Sequence, residues 1–131
     1  MAKTLGELKN EDILDSNDVM ERIAEIEDAL NADYPRDPDL ADERAEAEAE
    51  LATLQAFADE AKGYMSDWDY GDSLIRDSYF TKYAQEFAED IGAVGSDNQW
   101  PVYCIDWEWA ASELQMDYVS LELDGVVYWT R

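Results

Sequence analysis

Apolar residues recur three and four positions apart through the first half of the chain, and that spacing predicts helices. Thr4 and Glu7 fit the S/T-x-x-E capping box, so a short first helix is expected over 4–14. In "SNDVMERIAEIEDALNA", Val19, Ile23, Ile26 and Leu30 share one helical face, with Ser16 or Asn17 as the N-cap. "DYPRDP" breaks the pattern at Pro35. Asp37 then caps a second helix with Pro38 in its first turn, running to Lys62 and stopping at Gly63. Its stripe of Leu40, Ala47, Leu51, Leu54, Ala58 and Ala61 is narrow and rich in alanine, as in a coiled-coil seam. A short loop between two long helices predicts an antiparallel hairpin. Alone it would bury little, so it is expected to pack on the second half or on another chain.

The pattern changes after residue 65. "SDWDYGDSLIRD", residues 66–77, reads as a turn-rich connector. "SYFTKYAQEFAEDIG" puts Phe80, Tyr83, Phe87 and Ile91 on one face, with Ser78 before it and Gly92 after it, and predicts an amphipathic helix. Residues 93–101 read as loop, and Trp100-Pro101 leads to "VYCI", a short strand. Asp106 is expected to cap a helix over 107–116. In "YVSLELDGVVYWTR", Asp124-Gly125 between alternating apolar residues predicts a two-residue β-hairpin. That turn pairs Leu123 with Val126, Leu121 with Tyr128 and Val119 with Thr130 on an inward apolar face. Glu122 with Val127 and Ser120 with Trp129 form the other face. No internal repeat is visible. The fold class expected is α+β: an acidic N-terminal helical hairpin segment, 1–65, and a small α+β unit, 66–131, ending in the β-hairpin.

Composition separates core from charge. Residues 66–131 hold all five Trp and 13 of the 16 aromatic residues, whereas residues 1–65 hold Tyr34, Phe57 and Tyr64. Acidity covers both parts, with 6 bases against 19 acids in 1–65 and 3 against 14 in 66–131. The formal net charge of -24 exceeds the magnitude of about 2–8 that solubility asks of a small domain. Such excess opposes the compact state by self-repulsion. It argues against direct binding to nucleic acid or to an anionic membrane, both of which need a basic face, and favours a basic partner or polyvalent cations. No run of apolar residues approaches a membrane span, and "MAKTLGELKNEDI" lacks the apolar stretch of a secretory signal. The single cysteine, Cys104, cannot form an internal disulfide, which fits a reducing cytosol. Beside Tyr103 and Ile105 it reads as a small buried hydrophobe.

The candidate chemistry is carboxylate chemistry. His is absent, which removes the commonest general base and a leading transition-metal ligand. Pairs such as Asp67/Asp69 or Asp106/Glu108 could serve as acid and base, but an acidic chain offers such pairs by chance, and no nucleophile motif or Gly-rich phosphate loop accompanies them. No enzyme activity is expected, and no cofactor. "DWDYGDSLIRDS" resembles the start of a calcium loop at Asp67 and Asp69, yet Asp72 and Ser78 stand where that loop needs Gly and a bidentate Glu. No metal site is expected. A solvated acidic surface explains any single acid; it explains the whole set less well, because interspersed lysines would solubilise the chain without the repulsion. The remaining reading is a nucleic-acid mimic. Duplex DNA shows about one negative charge per 1.7 Å of axis, and carboxylates at i and i+4 on a helix lie about 6 Å apart. Asp39/Glu43, Glu46/Glu50 and Glu86/Asp90 have that spacing. The candidate mimic surface is Asp67, Asp69, Asp72, Asp77, Glu86, Glu89, Asp90, Glu108, Glu113 and Asp117.

A family resemblance points the same way. "SYFTKYAQEFAEDIGAV", followed by "WPVYCIDWEWAASELQMDYVSLELDGVVYWTR", resembles the end of the ArdA antirestriction family. It rests on the Tyr/Phe-Ala-x-Glu pattern around Tyr83–Glu89, on the "IDWE-x-AA-x-x-L" helix with its following aspartate and aromatic, and on the aromatic-ended hairpin. It covers about residues 78–131; residues 1–77 do not match, since family members carry extra small mixed domains there. The resemblance implies an acidic, dimeric DNA mimic, carried by phages and mobile elements, that occupies the DNA groove of type I restriction enzymes. The function expected is inhibition of a basic DNA-binding defence enzyme in the bacterial cytoplasm, a restriction-modification complex or a CRISPR effector. The alternative is an acidic scaffold that binds a basic partner without displacing DNA. A homodimer is a further expectation.

Overall fold

Helix α1, Leu5–Lys9, begins with the expected capping box: the Thr4 hydroxyl accepts from the Glu7 backbone N–H at 3.3 Å, and the Glu7 carboxylate accepts from the Thr4 N–H at 3.1 Å. The computed structural model describes residues 2–31, 41–95, 97 and 99–131. The helix is shorter than the expected 4–14. It ends at Asn10, and Ile13–Asp15 form strand β1, with Leu14 fully buried between two exposed neighbours. Pairing with a strand from the second half satisfies this segment's backbone and buries Leu14, which a longer first helix would not do.

Helix α2, Ser16–Asn31, presents Val19 and Ile26 as buried residues. Neither Ser16 nor Asn17 is its cap. The Asp15 carboxylate accepts the Asn17 backbone N–H at 2.9 Å. Ser16 is buried inside the first turn, where its hydroxyl donates to the Trp68 carbonyl at 2.8 Å and accepts from the Asp72 N–H at 2.7 Å. Helix α3, Ala41–Lys62, buries Leu54, Ala58 and Ala61 from the expected stripe and Phe57 besides, with Ala47 and Leu51 partly buried. Pro35, Asp37, Pro38, Asp39 and Leu40, and the turn they were expected to build, lie outside the described residues. Arg22 pairs with Glu50, and Ile26 and Leu30 line a cleft with Ala47, so α2 and α3 run antiparallel as expected.

Residues 66–77 are more than a connector. Trp68–Tyr70 form a 3-10 turn, and Ser73–Arg76 form strand β2. Leu74 and Ile75 are adjacent and both buried, so β2 is covered on both faces. Helix α4, Phe80–Asp90, follows, with Phe80 and Ala84 buried. Tyr83 and Phe87 are half-buried, and Ile91, expected on the same face, is exposed. "VYCI" is a 3-10 turn, Val102–Cys104, and not a strand: the Cys104 N–H bonds back to the Pro101 carbonyl at 2.9 Å. Cys104 is exposed, contrary to the buried position expected of it. Asp106 caps helix α5, Trp107–Gln115, accepting the Trp109 N–H at 3.1 Å.

The terminal hairpin has the expected register, with strands β3, Val119–Leu123, and β4, Val126–Thr130, pairing Leu123 with Val126, Leu121 with Tyr128 and Val119 with Thr130. Asp124 and Gly125 both take positive φ, 47° and 87°, as a two-residue primed turn requires. The four strands form one antiparallel sheet in the order β1-β2-β4-β3. On one face Leu14, Leu74, Leu121, Leu123 and Tyr128 pack with Leu8, Val19, Leu54, Phe57 and Trp68. On the other, Ile75 packs with Phe80, Ala84 and Ala111, and Trp129 joins them, its ring 5.9 Å from Phe80. The sheet is thus the middle layer between α1–α3 and α4–α5.

Candidate functional site

The ten candidate carboxylates fall into four groups. Asp67 and Asp69 are exposed at the 3-10 turn between α3 and β2. Asp72 and Asp77 bracket β2. The Asp72 carboxylate accepts the Ser73 N–H at 2.8 Å, and the Asp77 carboxylate accepts the Trp129 indole N–H at 2.9 Å. On α4, Glu86, Glu89 and Asp90 share a face by their helical spacing, and Glu86 accepts from the Tyr79 hydroxyl at 2.8 Å. This bond holds the Tyr79 phenol above its ordinary value. Glu108 and Glu113 on α5 and Asp117 just after it are exposed. Glu108 and Glu113 are five positions apart, about 140° around a helix, so they face different directions. The structure therefore gathers the α4 trio on one face, while Glu108 and Glu113 of α5 point apart.

The cations explain which acids remain unneutralised. Lys3 bridges Glu11 at 2.9 Å and Asp18 at 3.1 Å, Lys9 meets Asp124 at 3.0 Å, Arg22 joins Glu25 and Glu50, and Arg44 meets Glu48. Arg76 is occupied by backbone, donating to the Lys9 carbonyl at 2.7 Å. Arg131 lies over the Tyr118 ring at 6.0 Å. Among the described residues, none of the ten candidate carboxylates forms an ion pair. Of the helical rows, Glu50 is spent on Arg22, Glu46 is exposed, and Asp39 lies outside the described residues. Lys82 is the exception on the α4 surface, sharing a shallow depression with Gln85, Glu86 and Glu89.

Two features were not anticipated from sequence. The first is a cleft of about 430 Å³ beside β1, lined by Ile13, Asp72, Ile75, Tyr83, Phe87, Tyr118 and Arg131. The Tyr83 and Tyr118 hydroxyls meet there at 2.7 Å. Burial first, and then this bond, holds the Tyr83 phenol far above its ordinary value, so it is no base near neutrality. The second is aromatic exposure: Trp109 is 67% exposed, and Trp100 and Tyr103 are also exposed. Trp107 is half-buried.

Asp67 and Asp69 do not begin a calcium loop, because the chain between them and Ser78 is a 3-10 turn followed by a strand. Among the described residues, no group of three His, Cys, Asp or Glu side chains is placed to hold a metal ion, and no helix is long and apolar enough to cross a membrane. No family model, curated protein or solved structure matches the chain.

Proposed function

We propose that the protein is an acidic mimic of DNA that occupies the DNA-binding site of a bacterial defence enzyme, a restriction-modification complex or a CRISPR effector, in the host cytoplasm. The observation that carries this reading is how few acids are neutralised. Among the described residues the ion pairs engage six acids, Glu11, Asp18, Glu25, Glu48, Glu50 and Asp124, and none of Asp67, Asp69, Asp72, Asp77, Glu86, Glu89, Asp90, Glu108, Glu113 and Asp117. Fixed, unneutralised carboxylates on a packed scaffold set up a negative field that a cleft built for phosphates attracts. The resemblance of residues 78–131 to the ArdA family supports the same class. Inhibition is by occupancy, with no cofactor and no bond made or broken.

The test is competition. The candidate targets are purified type I restriction complexes and CRISPR effectors, and their affinity for this protein is measured with and without saturating duplex DNA. DNA should exclude the protein. A ternary complex at undiminished affinity would show instead an acidic scaffold that binds without displacing DNA.

A further inference from the structure

We infer that Trp100, Tyr103 and Trp109 form an anchor for arginine side chains of a basic protein partner. The inference rests on the DNA-mimic reading and adds what that field lacks, a short-range contact that selects one kind of cation.

The three residues lie within ten positions of one another in the sequence. Trp100 and Tyr103 sit on one turn, whose Val102 and Tyr103 N–H groups both bond to the Gln99 carbonyl at 2.6 and 3.3 Å. Trp109 stands in the first turn of α5, with its N–H held by Asp106. Their exposures are 73%, 60% and 67%. By contrast Trp68 is buried, and Trp107 and Trp129 are half-buried. Large rings left in water on a folded surface mark contact sites, where Trp and Tyr dominate binding energy.

Charge complementarity selects the occupant. From residue 83 to residue 130 the sequence has ten acids and no Lys or Arg. The rings are therefore embedded in a stretch with no cation of its own, with Asp106 and Glu108 exposed beside Trp109. A second copy of this chain would bring the same negative field against itself. Arginine suits the site best. Its planar guanidinium stacks on an aromatic face while its N–H groups reach neighbouring carboxylates, which a lysine ammonium does less well. Proteins that hold DNA are rich in arginine for the phosphates they grip.

The test uses an oligoarginine and an oligolysine peptide of equal length, titrated into the full-length protein while tryptophan emission is followed. Oligoarginine should bind about fivefold more tightly than oligolysine, the scale of one or two exposed cation–π contacts. Trp100→Leu with Trp109→Leu keeps an apolar surface, removes both indole faces, and should erase most of that preference with the melting curve unchanged. Equal affinity of the two peptides for the wild-type protein would overturn the inference without any variant. So would a dimer, seen by sedimentation, that dissociates in the double variant, because the patch would then belong to a second copy. Either failure leaves the DNA-competition result standing. Loss of DNA competition with the arginine preference intact would instead remove the mimic reading and leave an arginine-binding surface.

Discussion

The Tyr128 hydroxyl, buried under the sheet, donates to the Leu8 carbonyl at 2.7 Å and reaches the Glu11 carbonyl at 3.2 Å. One side chain of β4 thus satisfies the end of α1, and Arg76 completes the work at the Lys9 carbonyl. Tyr128→Phe removes that donor, leaving the Leu8 carbonyl with the Glu11 N–H at 3.2 Å, and should cost about 0.5–1.5 kcal/mol. Urea unfolding of the two proteins measures it, and an unchanged midpoint would show that water replaces the hydroxyl.

Burial pushes the Tyr128 phenol up to about 12, although nearby Arg76 pulls the other way. In the unfolded chain the phenol titrates near its ordinary value of about 10. The folded state therefore keeps its proton where the unfolded state has lost it. The stabilisation is complete below about pH 10 and is lost as pH rises toward 12, a fall on the order of 2 kcal/mol. Tyr83, raised mainly by its own burial, adds a loss of the same sign. Unfolding measured across this range should show the decline in the wild-type protein and a shallower one in Tyr128→Phe.

Salt should act oppositely on fold and function. Raising NaCl from about 0.1 M to about 1 M screens the repulsion of a chain carrying -24 and should raise the melting temperature. The same change should weaken target binding, which joins opposite charges. A target affinity indifferent to salt would contradict the charge-based reading.

The ten unpaired carboxylates should share the work. Asp67→Asn, Glu86→Gln and Glu113→Gln, taken singly, should each reduce inhibition by about 1 kcal/mol or less, as charges at a protein surface do. Combined, they should erode it nearly additively, because they stand on different elements. The assay is a panel of neutralised variants read by inhibition and by thermal melts together. A single change that abolishes inhibition with the melt intact would point to a discrete site.

Core and surface side chains should separate cleanly. Leu121, 2% exposed between α3 and the sheet, should cost about 2–5 kcal/mol on truncation to alanine. Trp109→Ala should be close to neutral for stability because the ring is already in water. Trp107→Ala, half-buried, should fall between them. Chemical denaturation of the three variants ranks them, and a destabilised Trp109→Ala would mean that its ring is part of the core.

Local signals were legible where a segment carries its own chemistry. Thr4 with Glu7, Asp106 before α5, and Asp124-Gly125 each fix a cap or a turn within a few residues, and the hairpin register follows from the turn. Strands β1 and β2 were hidden because they are short and their partners are distant in sequence. Ile13–Asp15 continues a helix-like spacing from α1, and Leu74-Ile75 shows no alternation because both sheet faces are covered. Of the site, the acid residue types could not tell exposed carboxylates such as Asp67 and Glu113 from Asp72, Glu86 and Glu89, which are half-buried. Which acids lose their charge to a base depended on packing, as Glu50 beside Arg22 shows, and the exposure of Trp109 could not be told from that of Trp107 two residues earlier.

The sheet order carries a consequence for how the protein is made. β4 is the last strand in sequence but lies between β2 and β3, so the β1–β2 ribbon meets the terminal hairpin only after residue 126 has been synthesised. Until then α2 and α3 leave the ribosome with Val19, Ile26, Leu54 and Phe57 lacking Leu121, Leu123 and Tyr128 of the hairpin that completes their cover. Such a waiting intermediate is prone to aggregate. Its 19 acids in the first 65 residues keep nascent copies apart during that interval. Chains stalled before Val126 should accordingly be soluble yet open to protease along their whole length, and become resistant only when β4 enters the sheet.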